Sequence, residues 1–338
     1  MLNLVISGYY GFKNFGDEAI LSVLTEHLKS LGANVTVITS NPAYTSQKDN
    51  VETVKTFDIK NIIRVLKNSD ALISGGGSLL QDVTSLKSLM YYAFIIFLAL
   101  IFKKKVLIFA QGIGPLNSKL SQFIVKNLLK QAAFISVRDE KSLELLADAG
   151  ISAKLVCDPI FSVEIPETSK EKKLVIQLRS FPTLNDEFLN ELAQNINKNF
   201  SDKKIEILSL QDSLDKDVCE KFNNILKNLN PNIITSVKTG LLPQEIINTI
   251  ANAEYLIGMR FHALLIGLRA GTKTLAINYD IKVENLAKSF DLPMLNLSQN
   301  NEFENEFEIL KNLDVSKLIE TSKSKVFDWS EFDKNLCD

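Results

Sequence analysis

The sequence is poor in several residue types and patterns that mark common classes of site. Its 338 residues contain three cysteines, which lie far apart and in no CxxC arrangement, so neither a disulfide framework nor a structural zinc site is predicted. Neither sign of charge is in large excess, because the 38 lysines and arginines and the 40 aspartates and glutamates leave a net charge of only −2. This balance argues against a protein that binds nucleic acid by neutralising many phosphates. The sequence also lacks a GxxxxGK[ST] loop, the usual P-loop nucleotide site.

The sequence shows neither a secretion signal nor a membrane-spanning run. No charged segment precedes the first apolar run, MLNLVISGYYG, so a cytoplasmic location is expected. The uncharged apolar run from Leu89 to Phe102 has 14 residues, fewer than the roughly 20 that a spanning helix needs. Two interpretations of this run remain open. It is either a buried crossover helix or a helix whose outer face makes peripheral contact with the inner face of the plasma membrane, with Lys103, Lys104 and Lys105 at the headgroups.

Short apolar runs alternate with segments of helical periodicity along the first half of the chain. The helical pattern is clear at 18–31 and 119–132. The strand-like runs are 2–7, 34–39, 71–74, 106–110, 134–137 and 154–156. This βαβα order predicts a parallel sheet with helices on both faces. In such sheets, ligands bind at the carboxyl ends of the strands.

A polar, charged stretch at 165–173, IPETSKEKK, interrupts the alternation and is predicted to be a linker. The alternation then resumes. Strand-like runs lie at 174–178, 205–208, 233–236, 255–257 and 274–277, with helical patterns at 186–197, 215–229 and 244–252. We therefore predict an α/β protein of two doubly wound, Rossmann-like domains, 1–166 and 170–338, that face a ligand cleft.

Three glycine-containing turns follow predicted strands of the first domain. The first is GYYGFKNFGDEA, which includes Gly11, Asn14, Asp17 and Glu18. Its glycines permit positive φ, and a helix that starts near Asp17 would direct free N–H groups at an anionic or hydroxylated ligand. In the alternative interpretation, Asp17 caps that helix and the glycines only turn the chain.

The second and third turns follow later strands of the same sheet. SGGGS at 74–78, which includes Gly76 and Gly77, is either a backbone nest for a phosphate or sugar oxygen or a tight turn. QGIGP begins at Gln111. Because the carboxyl ends of parallel strands lie at one edge, three such turns together indicate a binding site more strongly than any one alone.

Two cationic side chains follow other predicted strands. Arg138, beside Asp139, directly follows the run 134–137. There it either grips a carboxylate or phosphate with two hydrogen bonds or forms a structural pair. Lys282 follows the run 274–277 and adds a positive charge to the corresponding edge of the second domain.

The most concentrated candidate site is GMRFHA, which follows the run 255–257 and opens an apolar helical segment. It places Arg260 and His262 at the start of a predicted helix. The sequence has only one other histidine, His27, which lies in a helical pattern among polar residues and is predicted to face solvent. His262 is therefore the expected histidine acid, and the alternative is a structural histidine.

Six segments together resemble one known family. GYYGFKNFGDEAIL, SGGGSLLQD, AQGIGP, SVRDEKS, GMRFHAL and YDIKV, in this order, resemble the polysaccharide pyruvyl transferases, and the resemblance covers Gly8 to about Lys282. The sequence is most similar to the bacterial cell-wall branch of that family. The resemblance implies a fold like that of GT-B glycosyltransferases. It also implies transfer of pyruvate as a ketal from phosphoenolpyruvate to a hexosamine, typically N-acetylmannosamine on a lipid-linked precursor, with release of phosphate.

The resemblance also implies roles for individual residues. Arg138 and Arg260 would bind the phosphate and carboxylate of phosphoenolpyruvate, Lys282 would assist, and His262 would be the acid. This scheme requires no metal and no cofactor. Ile281 stands where family members often have proline, in the loop that presents Lys282.

The acceptor side is less well specified. The candidates for the acceptor site and its loops come from the three glycine turns, and either Asp17 or Glu18 could accept a hydroxyl proton. The full set of acceptor-site and loop candidates is Gly11, Asn14, Asp17, Glu18, Gly76, Gly77 and Gln111.

Two other functions are compatible with the sequence. A GT-B nucleotide-sugar glycosyltransferase would use similar loops and cations for a diphosphate, and it would release UDP from a UDP-sugar. A non-catalytic, two-lobed sugar-binding protein is the other alternative. Exported proteins of that kind carry a signal peptide, and a binding protein would leave Arg260 beside His262 without a role.

Overall fold

The computed structural model describes residues 1–83, 85–297 and 301–337. The chain divides into two compact units. Unit 1 comprises Met1–Val163 and Val326–Asp338, and unit 2 comprises Glu164–Lys325. The division at Val163 lies near the predicted boundary, but the C-terminal segment belongs to unit 1. The prediction that the second domain extends from 170 to 338 is wrong at that end.

Unit 1 contains a parallel sheet in the order β3-β2-β1-β4-β5-β6-β7. Its strands are β1 (Asn3–Ser7), β2 (Asn34–Thr39), β3 (Glu52–Lys55), β4 (Ala71–Ser74), β5 (Lys105–Gln111), β6 (Phe134–Val137) and β7 (Lys154–Leu155). Its helices are α1 (Phe15–Ser30), α2 (Pro42–Asp49), α3 (Ile59–Asn68), α4 (Leu86–Ile101), α5 (Lys119–Leu129) and α6 (Glu140–Asp148), with a short 3-10 helix at Pro159–Ser162.

Unit 2 contains a second parallel sheet, in the order β10-β9-β8-β11-β12-β13. Its strands are β8 (Glu171–Gln177), β9 (Lys204–Leu208), β10 (Thr235–Lys238), β11 (Ala253–Gly258), β12 (Lys273–Asn278) and β13 (Met294–Asn296). Its helices are α7 (Asp186–Phe200), α8 (Asp212–Leu229), α9 (Pro243–Ala251), α10 (Phe261–Arg269), α11 (Ile281–Ser289), α12 (Phe303–Asn312) and α13 (Val315–Lys323).

Both sheets have the central apolar strands that the sequence predicts. Every residue of β4 is buried, as are the last five residues of β8, because helices cover both faces of a doubly wound sheet. The predicted linker is wrong at its end, since β8 already begins at Glu171. Two strands, β3 and β13, were not predicted. Three of the four residues of β3, ETVK, are polar, and β13 has only three residues, so neither forms an apolar run that alternation can detect.

The apolar run at 89–102 forms most of α4, the crossover helix between β4 and β5. One face, which includes Leu89, Ile95 and Ile96, is buried against the sheet. The opposite face exposes large apolar side chains. Unlike Lys103 and Lys104, which lie between α4 and β5, Lys105 is the first residue of β5. Its Nζ donates to the carbonyl of Asn335 at 3.3 Å. Within the described residues, no helix is long and apolar enough to cross a membrane.

The C-terminal helix α14 (Ser330–Cys337) packs on unit 1 through aromatic rings. Phe109 of β5 lies 5.3 Å from Phe332 and 5.4 Å from Trp329 between ring centroids. Asp333 contacts the ring Nε2 of His27 at 2.7 Å, and that ring stacks on Trp329. His27 is therefore part of this packing, and the prediction that it faces solvent is wrong. Burial of these rings explains why the last residues belong to unit 1.

Candidate functional site

In each sheet the order of strands reverses at one point. The reversal lies between β1 and β4 in unit 1, and between β8 and β11 in unit 2. The connections on either side of such a point leave in opposite directions, which opens a crevice at the carboxyl ends of the strands. The predicted site residues of each unit lie on the turns at that edge.

The side chain of Glu18 holds the first glycine turn by hydrogen bonds to its backbone. This side chain is fully buried, and its Oε1 accepts hydrogen bonds from the N–H groups of Gly11 at 2.8 Å and Lys13 at 3.3 Å. Its Oε2 lies 3.5 Å from Nζ of Lys48. Burial raises the pKa of Glu18, and the charge of Lys48 and the Gly11 hydrogen bond oppose that rise. Glu18 therefore shapes the loop rather than facing a ligand.

Asn14, and not Asp17, caps the helix that follows this turn. The Asn14 side chain accepts from the N–H of Gly16 at 3.3 Å, and α1 begins at Phe15. The prediction of a helix start near Asp17 is wrong by two residues. Asp17 instead lies in the first turn of α1 and packs against the second glycine turn. A Cβ on Gly77, whose φ is +98°, would lie 2.6 Å from its Oδ1.

Gln111 joins the second and third glycine turns. It is fully buried, and its Nε2 donates to Oγ of Ser74 at 2.7 Å and to the carbonyl of Gly75 at 2.8 Å. The N–H of Gly112 donates to the carbonyl of Gly77 at 2.8 Å. A Cβ on Gly76 would lie 2.7 Å from the Ile20 side chain, so this turn also needs glycine for packing. All three turns lie at one edge of the sheet, and Gln111 links the second to the third.

Arg138 lies at the same edge of unit 1 but does not pair with its neighbour Asp139. Its Nη1 donates to Oδ2 of Asp158 at 2.6 Å, and both side chains are nearly buried. Asp139 caps α6 and accepts from the N–H and Oγ of Ser142. The pairing partner of Arg138 therefore comes from 20 residues further along the chain.

Arg260 in unit 2 is the N-cap residue of α10 and is also held by a buried carboxylate. Its Nε and Nη2 donate to the two oxygens of Asp215 at 2.8 and 2.6 Å, and its N–H donates to Oε1 of Gln177 at 2.6 Å. Asp215 is completely buried and also accepts from the N–H groups of Leu210 and Gln211. A bidentate pair of this kind fixes the plane of the guanidinium.

His262 occupies the second position of α10, two residues after Arg260. Its ring is half-buried and lies edge-on to Phe261, with centroids 5.4 Å apart. Lys282 is exposed at the second position of α11, whose N-cap is Asp280. Because β11 and β12 are neighbours, His262, Arg260 and Lys282 all lie at one edge of the second sheet. The roles predicted for these three residues stay predictions.

Arg179 was missed by the sequence analysis. It follows β8 by two residues, and its Nη1 donates to the hydroxyl of Tyr279 at 3.2 Å. Its guanidinium also lies 5.5 Å from the centre of the Tyr279 ring. Burial raises the pKa of Tyr279, so this hydroxyl remains protonated at neutral pH. The signal was present, because Arg179 follows a strand by two residues, as Arg260 does.

The edge of the second sheet therefore combines three cations with one histidine. Arg179, Arg260 and Lys282 follow the adjacent strands β8, β11 and β12. Asp215 pairs with one of them. Guanidinium and ammonium groups suit an anionic ligand, and an imidazole is a side chain that can transfer a proton. In the described part of the chain, no group of three or more His, Cys, Asp or Glu side chains is arranged to hold a metal ion. That no metal or cofactor takes part stays a prediction.

Solved structures with the same fold come from several organisms. MurG of Acinetobacter baumannii is 13% identical with a TM-score of 0.55, covering 96% of this chain and 95% of that chain. Alr3699/HepE of Anabaena, solved in complex with UDP, is 11% identical with a TM-score of 0.64, covering 99% and 98%. A putative UDP-N-acetylglucosamine 2-epimerase of Listeria monocytogenes is 9% identical with a TM-score of 0.67, covering 98% and 97%.

These similarities confirm the predicted fold, two Rossmann-like domains of the type found in GT-B glycosyltransferases. At such low identity they show the fold alone. Comparison with curated proteins gave no match. The model of one protein family, described as polysaccharide pyruvyl transferase, matches residues 14–281. Because that match spans most of the chain, the protein belongs to the polysaccharide pyruvyl transferase family.

Proposed function

We propose that the protein transfers pyruvate as a ketal from phosphoenolpyruvate to a hexosamine of a lipid-linked cell-wall polysaccharide precursor. The observation that carries this proposal is the placement of Arg179, Arg260 and His262 at the carboxyl ends of the adjacent strands β8 and β11. Phosphoenolpyruvate carries a phosphate and a carboxylate on one small carbon frame. Two guanidinium groups suit it because each can form two parallel hydrogen bonds to such an anion.

Arg260 is the first of these guanidinium groups. Because Nε and Nη2 of Arg260 donate to Asp215, a ligand would contact the guanidinium on its Nη1 side. Arg179 is the second, and Lys282 adds a point charge at the exposed rim. The role in donor binding predicted for Arg138 in unit 1 stays a prediction.

The reaction needs an acid at the methylene carbon of the donor. Protonated His262 gives a proton to that carbon, and one sugar hydroxyl attacks the adjacent carbon, which has become oxocarbenium-like. The bond between that carbon and the bridging phosphate oxygen breaks, and a second sugar hydroxyl attacks the same carbon to close the ketal. Of the two hydroxyl protons, one restores His262 and the other leaves with phosphate. The phosphate dianion of the bound donor favours the protonated imidazole by Coulombic attraction.

The acceptor is proposed to bind at the glycine turns of unit 1. Asp17 is the candidate there for a hydrogen bond to a sugar hydroxyl, because its carboxylate lies beside Gly77 of the second glycine turn. Glu18 instead accepts from Gly11 and Lys13. We propose N-acetylmannosamine as the acceptor sugar, in line with the cell-wall branch that the sequence resembles.

One observation favours a second candidate, a nucleotide-sugar glycosyltransferase. Solved structures with this fold include complexes with UDP, among them Alr3699/HepE of Anabaena. A diphosphate could be bound by the same cations at the edge of the second sheet.

The deciding experiment measures phosphate release from phosphoenolpyruvate by the purified protein, with and without an N-acetylmannosamine-terminated acceptor. Phosphate release that depends on the acceptor, with a product heavier by one pyruvyl ketal, is the expected result. Release of UDP from a UDP-sugar, without phosphate release from phosphoenolpyruvate across a panel of hexosamine acceptors, would establish the second candidate instead.

A further inference from the structure

One face of unit 1 exposes a continuous row of large apolar side chains. On α4, Leu86, Met90, Phe94, Phe97 and Ile101 are between 39% and 54% exposed. Their spacing of three and four residues places them on one side of the helix, opposite the side that packs on the sheet. We call this row the α4 stripe. It extends over about 24 Å, the length of a 16-residue helix.

The neighbouring helix α5 continues this apolar surface. Leu120 and Phe123, on its first two turns, are 57% and 68% exposed. α4 and α5 pack against each other and follow consecutive strands of the sheet. A continuous exposed apolar surface on a folded protein marks contact with a partner or a membrane.

The charged side chains within α3, α4 and α5 all have one sign. Within α3, α4 and α5 there is no aspartate or glutamate, whereas the whole chain has a net charge of −2. The exposed cations of these three helices are Lys60, Arg64, Lys67, Lys87, Lys119 and Lys126. In contrast, the next helix, α6, carries three acidic side chains and one lysine.

Two acidic side chains that flank these helices, Asp58 and Asp82, are engaged by the backbone or by a neighbour. Asp58 caps α3 and accepts from the N–H and Nδ2 of Asn61. Asp82 accepts from the N–H groups of Asn117 and Ser118. The surface therefore combines an apolar row with a surplus of positive charge.

We propose that this face of unit 1 binds an anionic lipid bilayer surface, with the α4 stripe at the boundary of headgroups and acyl chains. A helix that lies in the membrane interface has an apolar face that inserts and cations that meet the anionic headgroups. A second copy of the chain fits this face poorly, because self-association would bring two sets of six positive charges together. A nucleic acid would cover the cations but gain nothing from the apolar row.

The orientation of the helices agrees with the proposed acceptor, and this step alone rests on the proposed function. Leu86 and Leu120 lie near the N-termini of α4 and α5, which follow the glycine turns after β4 and β5. A lipid-linked saccharide would thus be presented close to the turns proposed to bind it. Membrane binding itself does not depend on any activity, so the two proposals can fail separately.

The test is flotation of the full-length protein with vesicles of phosphatidylcholine alone or mixed with phosphatidylglycerol. We expect binding to the mixed vesicles, weakened when salt rises from about 0.1 to about 1 M, which shortens the Debye length from about 10 to about 3 Å. The double variant Phe94→Ser/Phe97→Ser should lower the partition coefficient by about tenfold or more. Lys119→Gln and Lys126→Gln should each lower it by about fivefold.

Matched controls come from exposed residues of unit 2. Ile234→Ser/Leu242→Ser removes two apolar side chains that are 67% and 45% exposed, and Lys227→Gln removes an exposed charge. Both should bind vesicles like the wild type. Failure of the wild type to float with mixed vesicles overturns the proposal. A loss of vesicle binding in the control variants as large as that in the variants of α4 and α5 also overturns it. A reversible dimer that Phe94→Ser/Phe97→Ser abolishes, without vesicle binding, would assign the face to a second copy instead.

A second variant guards against a folding defect in the serine variants. Phe97→Trp keeps a large apolar ring on the α4 stripe. Its emission should shift to shorter wavelength on addition of mixed vesicles and be quenched by brominated acyl chains. If neither change exceeds that of the wild type, whose one tryptophan is Trp329, the stripe does not enter the bilayer.

Discussion

The guanidinium of Arg260 donates two hydrogen bonds to the carboxylate of Asp215, at 2.8 and 2.6 Å, in a nearly solvent-free environment. Removal of Asp215 alone leaves a buried, uncompensated cation. Asp215→Ala should therefore lower the free energy of unfolding by about 3–5 kcal/mol. Urea denaturation of Asp215→Ala, Arg260→Met and the double variant gives the coupling energy. The double variant should be more stable than the sum of the single losses predicts, and additive losses would contradict the pairing.

His262→Gln tests the proposed acid. Glutamine approximates the size of the imidazole but cannot deliver a proton, so kcat should fall by about 10²–10⁴-fold while KM for phosphoenolpyruvate changes little. Steady-state phosphate release provides both constants. An unchanged kcat would remove His262 from the mechanism.

Arg179→Ala tests the arginine that the sequence analysis missed. Loss of a charge-assisted hydrogen bond to the donor should raise KM for phosphoenolpyruvate by about tenfold or more. Tyr279→Phe is the matched control, because it keeps the ring and removes only the hydroxyl that accepts from Nη1. Tyr279→Phe should also raise KM for phosphoenolpyruvate, but by less than Arg179→Ala does. A KM unaffected by Arg179→Ala would place this residue outside the donor site.

Glu18→Gln tests the burial of the carboxyl under the first glycine turn. Burial raises the pKa of Glu18 above its ordinary value of 4.5. As pH rises from 4.5 to the raised pKa, the unfolded chain ionises first, so the wild type loses stability over this window. The glutamine variant lacks that loss. Its unfolding free energy relative to wild type should increase across the window, and a pH-independent difference would contradict the prediction.

Phe332→Ala tests the attachment of the C-terminal segment to unit 1. Phe332 is 1% exposed and contacts the rings of Phe109, Phe134 and Trp329. Its truncation should cost about 3–5 kcal/mol of stability. Limited proteolysis should then cut at 326–337 faster than in the wild type. Unchanged proteolysis and stability would show that the segment contributes little.

Much of the fold could be predicted because its signals are local. β2, β4 and β6 begin and end where their apolar runs do, since strands buried on both faces are nearly continuous apolar runs. The edge that carries the site also follows from chain order, because parallel strands end on the same side. Arg260 and His262 could be placed there from the sequence alone.

The sequence by itself thus determined the two α/β units, the edge of each sheet that carries the turns, and most residues on it. Only the tertiary structure decided which partners those residues have. Asp158 lies 20 residues from Arg138, and Asp215 lies 45 residues from Arg260. The same holds for α4, whose apolar character is plain in the sequence while its exposed side is set by the sheet beneath it. Periodicity is a property of neighbouring residues, whereas pairing and burial depend on which distant segments the folded chain brings together.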